Sequence, residues 1–242
     1  MPPVVVAVSG MSYASYVAQK WLKERGGILL TAILGGAYSS TATTIVLARQ
    51  AKDPTARHLY AGSMLAASGV MYLRMMVLVL LFNRPLGGTL VPGFCGLGVA
   101  GIAAGAALAL RHRGEAAEAP AGRSTQNPLA LRSAFLFGLA FLVVLVLTRL
   151  TIDYVGQGGL YGLAAIVGLS DVDPFVLGVA QSGASAPPVR VAAAAIVIAA
   201  AANNVAKGGY ARAFAGRPTG SLALGLLGGF AALGLVPLAW LL

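Results

Sequence analysis

Negative charge is scarce in this 242-residue chain: Asp and Glu together number 7, against 17 Lys and Arg. Charged residues make up 10% of the total, whereas a soluble domain carries roughly 25%. Cysteine is nearly absent. Cys95 stands alone in an apolar run, which excludes a disulfide framework or a thiolate metal site, and it reads as a small core residue. His58 and His112 sit at the ends of apolar runs and make no ligand cluster. There is no Walker A loop, Rossmann fingerprint, CxxC or HExxH, so neither ATP hydrolysis nor a redox cofactor is expected. Without a Ser/His pair or a His/Asp/Glu cluster, no catalytic residue and no enzymatic activity are expected either. The N-terminus, MPPVVVAVSGMSYAS, lacks a basic n-region and a good cleavage site and is not read as a signal peptide.

Apolar residues fill the space: 58% of the chain is hydrophobic and the mean hydropathy is +0.82. This is the composition of an integral membrane protein. The net charge of +10 does not point to nucleic acid, because most Lys and Arg lie between apolar runs, where they anchor spans at the headgroups. Trp21, Trp240 and several Tyr suit the same interface. A span needs about 20 apolar residues, which gives about eight segments: 3–19, 27–48, 59–82, 88–110, 131–150, 158–180, 191–210 and 220–242. The polar stretch HRGEAAEAPAGRSTQN at 112–127 is a loop by composition. It divides a first transmembrane repeat, 1–111, from a second, 131–242, with 112–130 as linker.

The halves resemble each other. PTAR at 54–57 matches PPVR at 187–190, and Arg84-Pro85 matches Arg217-Pro218 at the same offset, which also sets Arg74 on Lys207. Upstream, GGILLTAILGGAYSSTATTIVLA matches GGLYGLAAIVGLSDVDPFVLGVA, so that Ser39 falls on Asp171 and Thr41 on Asp173. Gly101 and Gly105 in one half, and Gly225 and Gly229 in the other, have the small-xxx-small spacing of close helix packing. Four spans per half give parallel repeats; one re-entrant segment per half gives inverted ones. Basic residues are balanced between odd and even loops, and setting aside Arg149 and Lys207 as intramembrane favours cytoplasmic termini.

The centre of the second repeat holds Ser170, Asp171, Asp173 and Pro174 inside a membrane-length segment. Each mid-bilayer carboxylate costs about 2.5–3.5 kcal/mol on insertion scales, and Pro174 removes a backbone donor. Such a break is tolerated where it lines a cavity or is buried in protein, as in the broken helices of transporters. Asp171 and Asp173 would point about 200° apart on an intact helix, but both can turn to one cavity in an unwound stretch. With Ser170 they are hard oxygen ligands for a cation such as Mg²⁺ or Na⁺, or a proton relay. A structural alternative is that Asp173 caps a half-helix beginning at Pro174. The matching stretch brings Ser39, Ser40 and Thr41, which can serve as neutral ligands or bond back to the i−4 carbonyl. Arg74 lies about 12 Å along a helix from Phe82, too deep to snorkel easily, so a buried partner is expected, Asp171 or Asp173. On the seventh segment Asn203 and Lys207 share a face at i, i+4, and Asn204 neighbours Lys207 at i, i+3; they and Arg74 can balance the aspartates, bind an anionic substrate or form a structural polar network. Arg149 and Asp153 read as an i, i+4 interfacial pair.

The runs GGAYSSTATTIVLAR, GLYGLAAIVGLSDVDPFVLGVAQ and AIVIAAAANNVAKGG, in that order, resemble a bacterial family, the domain of unknown function 4010, often the C-terminal half of MgtC/SapB-related membrane proteins. The resemblance covers nearly the whole chain. It implies a multi-pass protein of the bacterial inner (cytoplasmic) membrane, with an MgtC/SapB-like domain or protein as a partner. The N-terminal helical domain of those relatives is not in this sequence, which implies a stand-alone form or a fragment. The resemblance supplies no catalytic residues.

The expectation is therefore an all-α polytopic bundle in the lipid bilayer, with two homologous halves whose broken helices meet near the midplane. It would be a gradient-driven transporter or channel for a cation (a divalent metal, Na⁺ or H⁺) or a small solute. Asp171 and Asp173 would bind the ion, Ser39, Ser40, Thr41 and Ser170 would add neutral oxygens, and Arg74, Asn203, Asn204 and Lys207 would supply counter-charge. The alternative is a non-transporting scaffold or regulator that binds another membrane protein, and the glycines permit a homodimer. No resident cofactor is expected, bound Mg²⁺ or Na⁺ being substrate.

Overall fold

A computed structural model describes residues 27–112, 131–182 and 187–242. The expected first segment, 3–19, and most of the 112–130 linker lie outside them. Every element among the described residues is an α-helix: α1 Ile28–Gln50, α2 Arg57–Phe82, α3 Arg84–Arg111, α4 Leu131–Gly168, α5 Val172–Ala180, α6 Val189–Phe214, α7 Arg217–Gly234 and α8 Leu238–Leu241. Five stretches are long and apolar enough to cross a membrane: α1, α2, α3, α6 and the run from α7 through α8.

Two of these helices form the centre. In α6 and α2, 67% and 56% of the most apolar window is buried, against 33% or less in the other three. Glycine lets α2 and α3 approach backbone to backbone. A Cβ on Gly62 would meet the Gly105 carbonyl, and one on Gly69 would meet the backbone around Gly98 and Gly101. The same pattern does not hold on α7, where Gly225 and Gly229 have nothing within 4 Å of a Cβ. Their spacing matches that of Gly101 and Gly105, but they lie on the outward face. Tyr72 joins α2, α3 and α7, its ring edge-on to Phe94 and Phe230 at 5.1 and 5.3 Å.

The expected sixth span is not a single helix. Residues 131–150 and 158–168 all belong to α4, which turns at Gly156, where φ is 75°. Only glycine enters this left-handed region at little cost. The turn is sharp. A Cβ on Gly159 would touch Thr151, eight residues back, which on a straight helix lies about 12 Å away. After Gly168 the chain unwinds and restarts as α5, all nine residues of which are buried. α1 also folds back: Ser39 is extended (φ −157°, ψ 107°), and Gly35 abuts the Thr43 side chain eight residues on.

The ends of the bundle are tied by polar contacts. At one end the Gly216 N–H donates to the Ala51 carbonyl at 3.0 Å, Lys52 Nζ donates to the Phe214 carbonyl at 2.7 Å, and Arg49 lies over the Phe214 ring at 5.1 Å. Here Thr55 hydrogen bonds hold the Asp53 carboxyl below its usual range, and His58 stacks on His112 with centroids 4.0 Å apart. At the other end Asn83 caps α3 by accepting the Leu86 N–H, and donates to the Ala180 carbonyl at 3.3 Å. So α2 runs from the first end to the second, and α6 runs the opposite way.

Two further expectations are corrected. Cys95 is exposed on α3, not in the core; an apolar run in a membrane helix includes a lipid face as well as a packed one. Among the described residues Arg149 and Asp153 form no ion pair, and both are exposed. An exposed i, i+4 pair is worth only a few tenths of a kcal/mol and does not hold two long side chains together.

Close backbone packing and open glycines should respond differently to one methyl group. Gly105→Ala should lower the melting midpoint in detergent by about 2–10 °C, from overpacking of about 1–3 kcal/mol. Gly229→Ala should leave it within about 1 °C or raise it slightly. Equal effects from the two would contradict this packing.

Candidate functional site at the helix breaks

A broken helix leaves backbone groups at each new terminus without helical partners. In a membrane interior each must find one. At α5 the N-cap is Asp171, whose Oδ1 accepts the Asp173 N–H at 3.2 Å. This corrects the expectation that Asp173 caps a helix starting at Pro174. Helix α5 begins two residues earlier, and Pro174 sits in its first turn, where a missing N–H costs nothing. The break in α1 is capped in the same way, with Ser39 Oγ accepting the Ala42 N–H at 3.2 Å.

The carbonyl ends of the two breaks are also covered. Arg74, from the middle of α2, donates to the carbonyls of Ala37 and Tyr38, just before the Ser39 break. Its other terminal nitrogen bonds Asp173 Oδ2 in the one ion pair among the described residues. One guanidinium thus joins the end of the first half of α1 to the start of α5. On the other side, Asn203 donates to the Gly168 carbonyl at 3.0 Å, and the Tyr210 hydroxyl to the Leu169 carbonyl at 3.2 Å. Asn203 also reaches Thr41 Oγ1 at 3.5 Å, at the limit of a hydrogen bond.

Lys207 is fully buried. Its Nζ donates to Ser40 Oγ and Ser68 Oγ, both at 3.1 Å, and points at Met71 Sδ at 3.2 Å. Asn204 is buried one turn away and donates to the Tyr72 hydroxyl at 3.0 Å. Thr44 bonds back to the Ser40 carbonyl at 2.8 Å, the helical use expected of these hydroxyls.

The expected site residues are therefore brought together unevenly. Arg74, Asp173, Asn203, Lys207, Ser40 and Thr41 lie on the inner faces of α1, α2, α5 and α6, where the breaks meet. Ser39 is spent on its cap. Asn204 turns toward Tyr72. Ser170 and Asp171 are exposed, while Asp173 is 5% exposed, so the two carboxylates do not share one environment. Among the described residues no group of three or more His, Cys, Asp or Glu converges as a metal site. Reading the sequence missed Ser68, Met71, Tyr72 and Tyr210 as partners. A hydroxyl in an apolar helix two turns from Arg74 was the available signal for Ser68. The others look like ordinary core or interface residues until the chain is folded.

The profile of a family described as "Domain of unknown function (DUF4010)" matches residues 6–215. The chain belongs to this DUF4010 family. The match takes in α1 to α6, and with them every residue at the breaks; α7 and α8 lie beyond it. A curated relative, an uncharacterized protein of Aquifex aeolicus (strain VF5), is 29% identical over 202 residues, covering 81% of this chain and 85% of that protein. No solved structure matches.

Within this DUF4010 chain the Arg74–Asp173 pair should act as a clamp. Removing one partner of a buried pair leaves an uncompensated charge and typically costs about 3–5 kcal/mol. Arg74→Met or Asp173→Leu alone should therefore destabilise the folded protein in detergent strongly. The double variant should lose less than the sum of the two single losses, with the Ala37 and Tyr38 carbonyls still lacking Arg74. Additive losses would show that the two side chains do not depend on each other.

Proposed function

We propose that the chain consists of two homologous halves in inverted orientation, each with one re-entrant helical hairpin, and that it works as a gradient-driven transporter or channel. The repeat is supported by equivalent positions. Arg84 and Arg217 open α3 and α7, each followed by proline. Ser39 and Asp171 are both extended residues that cap the helix after them. Gly36 packs on the Ala67 backbone, and its counterpart Gly168 packs on that of Ala199, one residue before the position aligned with Ala67. Inversion is supported by direction, because α2 and its counterpart α6 run opposite ways between the two tied ends. An inverted pair brings its breaks to a common depth from opposite faces, which is how many transporters build a central site.

The observation that carries the function is the polar seam between the two breaks. Charged and amide side chains from α2, α5 and α6 meet half-helix termini inside an apolar bundle, and such intramembrane groups mark ion or substrate paths. Asp171 is exposed there, and a carboxylate at this depth is stable only against water or a cation. Asp173 Oδ1, Arg74 Nε and Asn203 Oδ1 are buried with no protein partner, which leaves hydrogen-bonding capacity for water or a solute. The cargo best suited to Asp171, Ser170 and backbone carbonyls is a cation: Na⁺, H⁺ or a hydrated divalent metal. Asp173, bound to Arg74, sets the site's geometry. In this reading the protein sits in the bacterial inner membrane.

A second reading rests on the open glycine face of α7. Gly225 and Gly229 there suit a homodimer or another membrane protein, with the chain acting as a scaffold or regulator.

Ion uptake into vesicles containing the purified protein separates the two. Mg²⁺, Mn²⁺, Na⁺ and H⁺ serve as probes. Wild type should take up at least one, and Asp171→Asn, still folded, should lower that uptake by about tenfold or more. Unchanged uptake in the variant would move the site elsewhere. No uptake of any probe by folded wild type would favour the scaffold.

A further inference from the structure

Lys207 is the one buried cation among the described residues with no carboxylate bonded to it. Its partners are two serine hydroxyls and a thioether. Neutral dipoles offset only part of the cost of an ammonium taken out of water. We propose that Lys207 is a proton-exchanging site, and that the cation handled at the SDVDP break moves in exchange for protons. This rests on the transport reading above and names its coupling ion.

The chemistry of the pocket fits both protonation states. An ammonium donates three hydrogen bonds, and three acceptors surround it. A neutral amine donates two and accepts one, and a serine hydroxyl can rotate to supply that donor. Of the two basic side chains at the seam, only lysine can use this, because a guanidinium keeps its charge in proteins. Position matters as well. Ser40 is the first residue after the Ser39 break, so Lys207 on α6 holds the tip of the α1 hairpin, and through Ser68 it holds α2. Proton loss at Nζ would weaken that hold.

The charged groups near enough to act on Lys207 are Arg74 on α2, Asp173 at the start of α5 and Asp171 at its cap. Helix α1 contributes Ser40, and α7 places Leu224 against neighbouring Gly208 and brings no charge. Arg74 and Asp173 neutralise each other, which leaves Asp171 and Lys207 as the two unpaired charges. A cation arriving at Asp171 removes the negative charge that stabilises the ammonium, and screening is weak at low dielectric. The proton then leaves Nζ for water reaching Asp171, and the amine is reprotonated after the cation departs to the opposite side. A monovalent ion exchanged for one proton moves no net charge, and a divalent ion exchanged for one proton carries one.

The test uses the full chain in vesicles loaded with a pH-sensitive dye. Na⁺, Mn²⁺ and Mg²⁺ are added outside as separate probes, and cation uptake and internal pH are read in parallel. In wild type the internal pH should rise as the cation enters. In Lys207→Met the pH change per cation taken up should fall by about tenfold or more, since no titratable amine remains. Lys207→Arg should lower both cation uptake and the pH change by about tenfold or more, because its charge is permanent. Proton movement that persists in Lys207→Met would overturn the proposal. So would wild-type uptake without any pH change, which would leave the transport reading standing. Absence of uptake by folded wild type would overturn both. Should Lys207→Met fail to fold, the wild-type pH record and Lys207→Arg still decide.

Discussion

The guanidinium of Arg74 is the contact on which the arrangement of the breaks depends. Interrupting a helix in a membrane interior strands carbonyls at one new end and N–H groups at the other. Arg74 takes the stranded carbonyls of Ala37 and Tyr38 and, with its other nitrogen, the carboxylate at the start of α5. A single side chain thereby ties a break in one half of the chain to a break in the other. Asn203 and Tyr210 perform the matching service at Gly168 and Leu169, and Ser39 and Asp171 cap the N–H ends. Close packing of α2 on α3 through glycine holds Arg74 at its depth, since α2 has no room to shift.

The seam is not symmetric. Arg74 and Lys207 fall on each other when the two halves of the sequence are aligned, yet Arg74 bonds backbone and an aspartate, whereas Lys207 bonds hydroxyls and a sulfur atom. The first-half break brings only hydroxyls, and the second brings two carboxylates. One of these is locked in an ion pair and the other is open. On the proposed function, a fixed charge pair that maintains geometry is thereby separate from two charges, Asp171 and Lys207, that can respond to an ion.

Several features were readable in the sequence because they follow from strong local rules. The apolar runs had to be helices, Arg74 needed a buried partner, and SDVDP could not continue a helix undisturbed. The alignment of the halves placed Ser39 on Asp171, and the backbone is extended at both. What escaped depends on which face a residue presents. Cys95 and Gly225 sit in runs as apolar as those of core residues, and composition alone does not tell a lipid face from a packed one. The capping register at α5 escaped because Asp171 and Asp173 are both good caps, and a proline is accepted anywhere in the first turn. The turn at Gly156 escaped because glycine is common in this chain (32 residues) and rarely signals a reversal. Partners such as Ser68 and Tyr72 come from distant sequence and needed the fold.

The central claim is that the two broken hairpins enter from opposite faces of the membrane. The most direct measurement is the sidedness of labelling in intact cells or sealed vesicles. Single cysteines at Thr55, before α2, and at Val189, at the start of α6, are placed in a Cys95→Ser background, and a membrane-impermeant thiol reagent is applied to one face at a time. Inverted halves predict that the two sites react from opposite faces. Reaction of both from the same face would mean parallel halves and would contradict the account.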